Sequence, residues 1–298
     1  RLSILGNDSQ NPTIVRLYAN RSAEKLFVDA PGGGIEFGAP GTLALRNLTI
    51  RDSMTILHGA ISNTSGTHAT INLAGNARQV LTMPDSGLVF PGGTAPIHLQ
   101  LDNPAGFFLS RGDLRFNPGS VLFLVNGVLD AGNQVIVLSR TSANQGFDRG
   151  VDQPGTSHIV GKVRQSITVG AGSTATYPNG RYEFPVGTPS EYRPFSITFT
   201  NAYPALTSST VEVLAVDRSP DGEVGLPVDG ELGIRVGTYA SLHWLVKTTP
   251  GSLGTDQRYD LDASVRKGLL RFSNVEDLRF IRLPDGDLGT AGWELLGF

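Results

Sequence analysis

Cysteine is absent from this 298-residue chain, so it holds no disulfide framework, no thiolate metal site and no cysteine nucleophile. That absence does not exclude export, because a chain of this length can fold on core burial and sheet hydrogen bonds alone. No run of about 18 apolar residues occurs, which leaves no segment able to cross a membrane as a helix. Lysine is scarce, four against twenty arginines, and the formal charge is only −3. Nucleic-acid binding needs a concentrated basic surface, and this balance gives no reason to expect one. The chain opens at Arg1 without an initiator methionine or an apolar leader, and reads as a processed product.

What is abundant is punctuation. The 37 glycines and 18 prolines impose many turns and leave little room for long helices. From Phe27 to Leu138 short apolar runs recur every few residues, and almost every gap holds Gly, Asn, Asp or Pro. Strands this short with turns this regular suit an all-β coil of small sheets, and no helical period is evident there. No strict repeat is visible, so the expected solenoid is degenerate, its coils covering one another's apolar faces. Residues 141–157 are polar and glycine-rich and read as a linker. Beyond them the strands lengthen, with clear alternation over Thr210 to Val216 and Leu278 to Leu283. The expected architecture is therefore all-β: a solenoid-like short-strand domain over 1–140, the linker, and a two-sheet β-sandwich over 158–298. Trp244 and Trp293 are expected in the core of that sandwich.

Two phrases are the most specific in the chain: Asn126 to Asn133 (NGVLDAGN) and Phe184 to Pro194 (FPVGTPSEYRP). With the Trp244 strand and the closing LRFIRLPDG and GWELLG segments, they resemble surface and secreted proteins that Bacteroidota-type bacteria export by the type IX pathway. The resemblance covers residues 100 to 298 and implies an extracellular or cell-surface address. It carries no catalytic signature.

The chemistry of an enzyme on a coiled β fold would need a carboxylate pair, or clustered Asp with a basic residue and calcium. Nine acids stand in the first 140 residues: Asp8, Glu24, Asp29, Glu36, Asp52, Asp85, Asp102, Asp113 and Asp130. They are scattered, mostly at turns, where carboxylates cap backbone amides. The histidines at 58, 68, 98, 158 and 243 show no paired-ligand spacing, and His98 should face outward from its alternating strand. Pro31 to Gly34 read as a turn rather than a phosphate cradle, since no helix pattern follows. Asp217, Asp221 and Glu223 resemble half a calcium loop, with Val228 where the bidentate Glu should stand; otherwise no cofactor is expected. Sequons begin at Asn20, Asn47 and Asn63, and Asp52-Ser53-Met54 fits the O-glycosylation pattern that the resemblance implies, which makes Ser53 the modification candidate.

The function these features favour is a non-enzymatic extracellular structural protein, a filament or surface-coat subunit that self-associates. Apolar strands near both ends would do the assembling: Leu2, Ile4 and Leu5 at one, Leu295, Leu296 and Phe298 at the other. The first alternative is a surface adhesin or glycan-binding stalk, with Tyr177, Tyr182, Tyr192 and Tyr203 as sugar platforms. The second is a polysaccharide-active solenoid enzyme.

Overall fold

A computed structural model describes residues 1–6, 9–38, 46–140, 145–149, 157–169, 181–201, 206–217, 228–229, 235–236, 242–249, 258–264, 281–282 and 294–295. The described residues are all-β, with no helix, and build a β-solenoid of about six turns. The first coil is β1 (Leu2–Leu5) and β2 (Ile14–Leu17). Two long strands, β3 (Arg21–Phe37) and β4 (Arg46–Asn63), each bend at register breaks to serve several faces. Shorter strands follow: β5 (Ala69–Ala74), β6 (Gln79–Thr82), β7 (Leu88–Phe90), β8 (Ile97–Asp102), β9 (Phe107–Arg111), β10 (Leu114–Phe116), β11 (Leu122–Asn126) and β12 (Leu129–Leu138). The parallel ladder then runs past the polar segment through β13 (Phe147–Asp148), β14 (Ile159–Val169) and, after β15 (Arg181–Phe184), β16 (Val186–Thr188).

Register explains the degenerate repeat. Leu2 stands beside Leu26, Leu26 beside Met54, Met54 beside Leu81 and Leu81 beside Leu109. A second column runs Leu48, Ile71, Leu99, Leu122 and Phe147. Neighbouring positions lie about 20 to 30 residues apart, with no fixed spacing. What repeats is an inward apolar side chain on each face, while the corner lengths vary. That is why a search for a strict period fails. Nearly all of these side chains are sealed from solvent and belong to one continuous core.

The corners do the rest. Pro31 to Gly34 turn β3 from one face to the next, where its register against β4 breaks. A Cβ at Gly34 (φ 141°) would collide with the carbonyl of Ala60 on the adjoining coil. Inside another corner the buried Asn103 amide donates to Ala77 O (2.6 Å) and Gln79 Oε1 (3.1 Å), while Gln79 donates to Ile50 O (3.1 Å). Asn103 Oδ1 accepts from the Ala105 amide (3.0 Å), so the buried polar pair is wired into three coils.

At the far end the fold changes character. The second half of β14 pairs antiparallel with β19 (Leu206–Val216), which pairs antiparallel with β22 (His243–Thr249). One solenoid face thus continues into an antiparallel sheet. The hairpin strand β17 (Glu191–Tyr192) folds back on β16. A second sheet holds β15, β18 (Phe195–Asn201) and β23 (Arg258–Ala263). Its buried Tyr182, Phe184, Phe195, Ile197 and Phe199 join the same core as Val211 and Val213 of β19, whose alternation follows the sequence pattern. Trp244 is half-buried, packed on that core, with its indole N–H donating to Arg193 O (3.1 Å); Trp293 lies outside the described residues. Two short pairs complete the description: β20 (Val228–Asp229) with β21 (Arg235–Val236), and β24 (Ile281–Arg282) with β25 (Glu294–Leu295).

Candidate functional site

The carboxylates come first, because the enzyme alternative depends on them. Sequence reasoning put them at turns; most instead reach sideways to a neighbouring strand. Glu36 pairs with Arg16 (2.7 Å), Asp52 with Lys25 (3.1 Å), Asp29 with His58 (2.7 Å), Asp85 with Arg111 (2.9 Å) and Asp130 with Arg78 (2.7 Å). Glu24 faces Arg51 at 4.0 Å, and Asp102 accepts from the Asn126 amide at 2.6 Å. Asp113 accepts from Val135 N–H of another coil (2.9 Å), and the turn role survives at Asp130, which accepts from Gly132 N–H (3.0 Å). Asp8 lies outside the described residues. Solvent screens exposed pairs of this kind, so they add little stability and mainly align coils. Among the described residues no three His, Asp or Glu side chains come together as a metal site.

His98 departs from expectation. It sits on the outer side of its strand's alternation but is only 9 % exposed, because outward side chains of neighbouring coils close over it. The His68 ring lies 5.1 Å away and Phe123 5.5 Å, and Nδ1 accepts from the Val121 amide (3.1 Å). Burial, and secondarily the charge of His68, lower its pKa from 6.5 to about 4. The unfolded chain therefore binds this proton from pH 6.5 downward while the folded chain resists it until about 4. Stability contributed by the neutral ring is full above pH 6.5 and is lost as pH falls toward 4, by up to about 3 kcal/mol. His98→Asn keeps an acceptor for Val121 and should flatten that part of the profile. Urea titrations at pH 7 and pH 4.5 would measure it; an unchanged pH slope in the variant would refute the assignment.

A second buried histidine sits where the parallel coil hands over to the antiparallel strands. His158 Nε2–H donates to Thr188 O (2.7 Å), and burial again lowers its pKa. Arg149 stacks over the Tyr192 ring (3.5 Å to the centroid) and donates to Ser157 O (2.9 Å). Ser157 Oγ and His158 Nδ1 are buried and neither has a hydrogen-bond partner among the described residues, so they are not bonded as a nucleophile–base pair. Beside them Arg193, only 2 % exposed, bridges Glu191 (2.9 Å) and Asp217 (3.0 Å). Asp217 of the suggested calcium loop is thus engaged by an arginine; Asp221 and Glu223 lie outside the described residues. Of the four tyrosines, Tyr182 is buried in the core beneath Arg140, and Tyr192 is covered by Arg149; Tyr177 and Tyr203 are outside the described residues. Ser53 is half-buried within β4, its neighbours across the ladder being Lys25 and Val80.

The first coil leaves strand edges open among the described residues. β1 pairs only with β3, β2 only with β3, and the start of β3 (Arg21 to Ala23) only with β4, among the described residues. Among the described residues these strands each keep one unpaired edge. Between these edges a cleft of about 370 Å³ opens onto the end of the core, floored by Leu2, Val15, Leu17, Ala23 and Leu48. Arg1, Arg16 and Arg21 line it, and among the described residues no acid does. Leu5 (63 % exposed), Ile14 (43 %) and Tyr18 (55 %) stand beside it in solvent, whereas Ile4 is buried. Leu295 lies in the short pair with Ile281 at the other end of the chain; Leu296 and Phe298 are outside the described residues.

The described fold defines the class: an all-β solenoid. Comparison with protein-family models, curated proteins and solved structures finds no match.

Proposed function

We propose that the chain is a non-enzymatic extracellular structural protein, a subunit of a filament or surface coat that assembles through strand edges at its ends. The supporting observation is the open first coil. Among the described residues, β1, β2 and the start of β3 each leave one edge unpaired beside an apolar cleft. A strand added there would gain main-chain hydrogen bonds and fill the cleft with alternate side chains. Contact between unlike ends is heterologous and propagates into a fibre unless rotation closes it. In this reading residues 158–298 form a β-sandwich on the end of the solenoid, and the cell-surface address follows from the type IX resemblance. The spread of carboxylates into coil-to-coil pairs favours this reading over a polysaccharide-active enzyme. The covering of Tyr182 and Tyr192 weakens the adhesin alternative.

Negative-stain electron microscopy and sedimentation velocity across a concentration series test it. Ordered fibres or growing oligomers are expected for the intact chain, and loss of both on deleting residues 1–6. A strictly monomeric particle at every concentration would overturn the reading.

A further inference from the structure

The hand-over from the parallel coil to the antiparallel strands is built around one imidazole. His158 is 2 % exposed, and Gly187 of β16 passes so close that a Cβ there would collide with the ring. Tyr192 of β17 covers it at 5.9 Å between centroids, and Nε2–H donates to Thr188 O (2.7 Å). The other nitrogen, Nδ1, is buried with no hydrogen-bond partner among the described residues. β12 meets the residue through backbone, Leu129 N–H donating to His158 O (3.0 Å). The charged and titratable groups around the ring, among the described residues, are Arg149, Glu191 and Tyr192. Glu191 is engaged by Arg193 (2.9 Å), which also holds Asp217, just after β19 (3.0 Å). Burial raises the Tyr192 pKa and keeps its phenol neutral. A second proton on His158 therefore arrives without an acceptor, away from water and near the Arg149 guanidinium.

We propose that the β16–β17 hairpin is an acid-released clasp on the start of β14, with the neutral His158 ring as its catch. The clasp is closed by the Thr188 bond and by the ladder pairs Ile159–Val186 and Val160–Gly187. Lifting the hairpin takes Gly187 and Tyr192 off the ring and lets water reach Nδ1, so the open form accommodates the charge. In that open form the imidazole takes its proton near its ordinary pH of 6.5. In the closed form burial, the largest cause, and Arg149 hold the pKa lower, against the Thr188 bond and Glu191. Closure is therefore fully favoured above pH 6.5 and weakens as pH falls below it. The opening constant rises by up to about tenfold per pH unit in that window. The device lies within one copy and does not depend on the filament reading.

Hydrogen exchange in the 298-residue chain, each rate divided by its intrinsic rate at that pH, reads the clasp. The Ile159 amide donates to Pro185 O (2.9 Å), across the contact that opens. Its protection should fall at least about threefold between pH 7 and pH 5.5. His158→Gln keeps an N–H for Thr188 O and takes no proton, so its protection should stay flat over the same range. The comparison also separates the clasp from His98, which both chains retain. Equal loss in variant and wild type would overturn the proposal, as would undiminished protection of the wild type at pH 5.5. Imidazole nitrogen NMR of the wild type needs no variant. His158 should show the neutral tautomer with the proton on Nε2 and remain mostly neutral at pH 6, where a solvated imidazole is mostly charged. A charged ring at pH 6 beneath a protected Ile159 amide would overturn the clasp.

Discussion

Replacing Arg193 with alanine is expected to destabilise the protein by about 3 to 5 kcal/mol, an effect outside the ordinary range for point substitutions. The guanidinium is 2 % exposed and holds Glu191, itself 11 % exposed, at 2.9 Å and Asp217 at 3.0 Å. Removing it takes away the Arg193 counter-charge from a carboxylate that is only 11 % exposed, and the loss of that low-dielectric pairing is the dominant cost. It also loosens the backbone carbonyl that accepts the Trp244 indole N–H. Arg193→Lys should recover only part of the loss, because a single ammonium cannot reach both carboxylates with the fork of a guanidinium. Urea denaturation followed by tryptophan fluorescence measures both variants. A cost below about 1 kcal/mol for alanine would show that water already screens the pair.

The second large effect lies in the middle of the solenoid. Phe90 and Phe116 stack at 4.6 Å with rings 8° from parallel, on β7 and β10, and both are sealed from solvent. Phe116→Ala should cost about 3 to 5 kcal/mol from lost transfer energy and the cavity left behind. In a stack where each coil contacts only its neighbours, that cavity also weakens the coupling between the two halves. Unfolding should therefore broaden or split, with amides of β1 to β6 exchanging at rates different from those of β11 to β14. Phe116→Leu refills most of the volume and should restore a single transition. Hydrogen exchange at moderate urea distinguishes the outcomes, and one sharp transition in the alanine variant would count against coil-by-coil coupling.

Much of the fold was legible because its determinants are local. Short apolar runs between Gly, Asn, Asp and Pro produce short strands and tight corners wherever they sit in space. The two most specific phrases turn out to be corner and junction chemistry. In Asn126 to Asn133, Asn126 donates to Asp102 on the previous coil, and Gly127 (φ 85°) passes so close to Asn103 O that a Cβ there would collide with it. In Phe184 to Pro194, Phe184 fills the core, Thr188 accepts from His158, and Arg193 ties Glu191 to Asp217. Such residues look like signatures in a sequence because their positions are over-determined.

Other features were not legible, and the reason is the same in each case. His98 alternates like a surface residue, yet it is covered by His68 and Phe123, which the register brings from neighbouring coils. The carboxylates look like turn caps until Arg16, Lys25 and Arg78 arrive beside them across the ladder. The cleft of the first coil joins Leu2, Val15, Ala23 and Leu48 from four strands, and no pattern along the chain marks its edges as unpaired. Side-chain alternation and turn chemistry act over a few residues, so they settle the all-β class, the strand inventory and the corners. Which coil lies on which depends on corner lengths and on the summed burial of whole faces. That is why the ion pairs, the buried histidines and the open end belong to the tertiary structure alone.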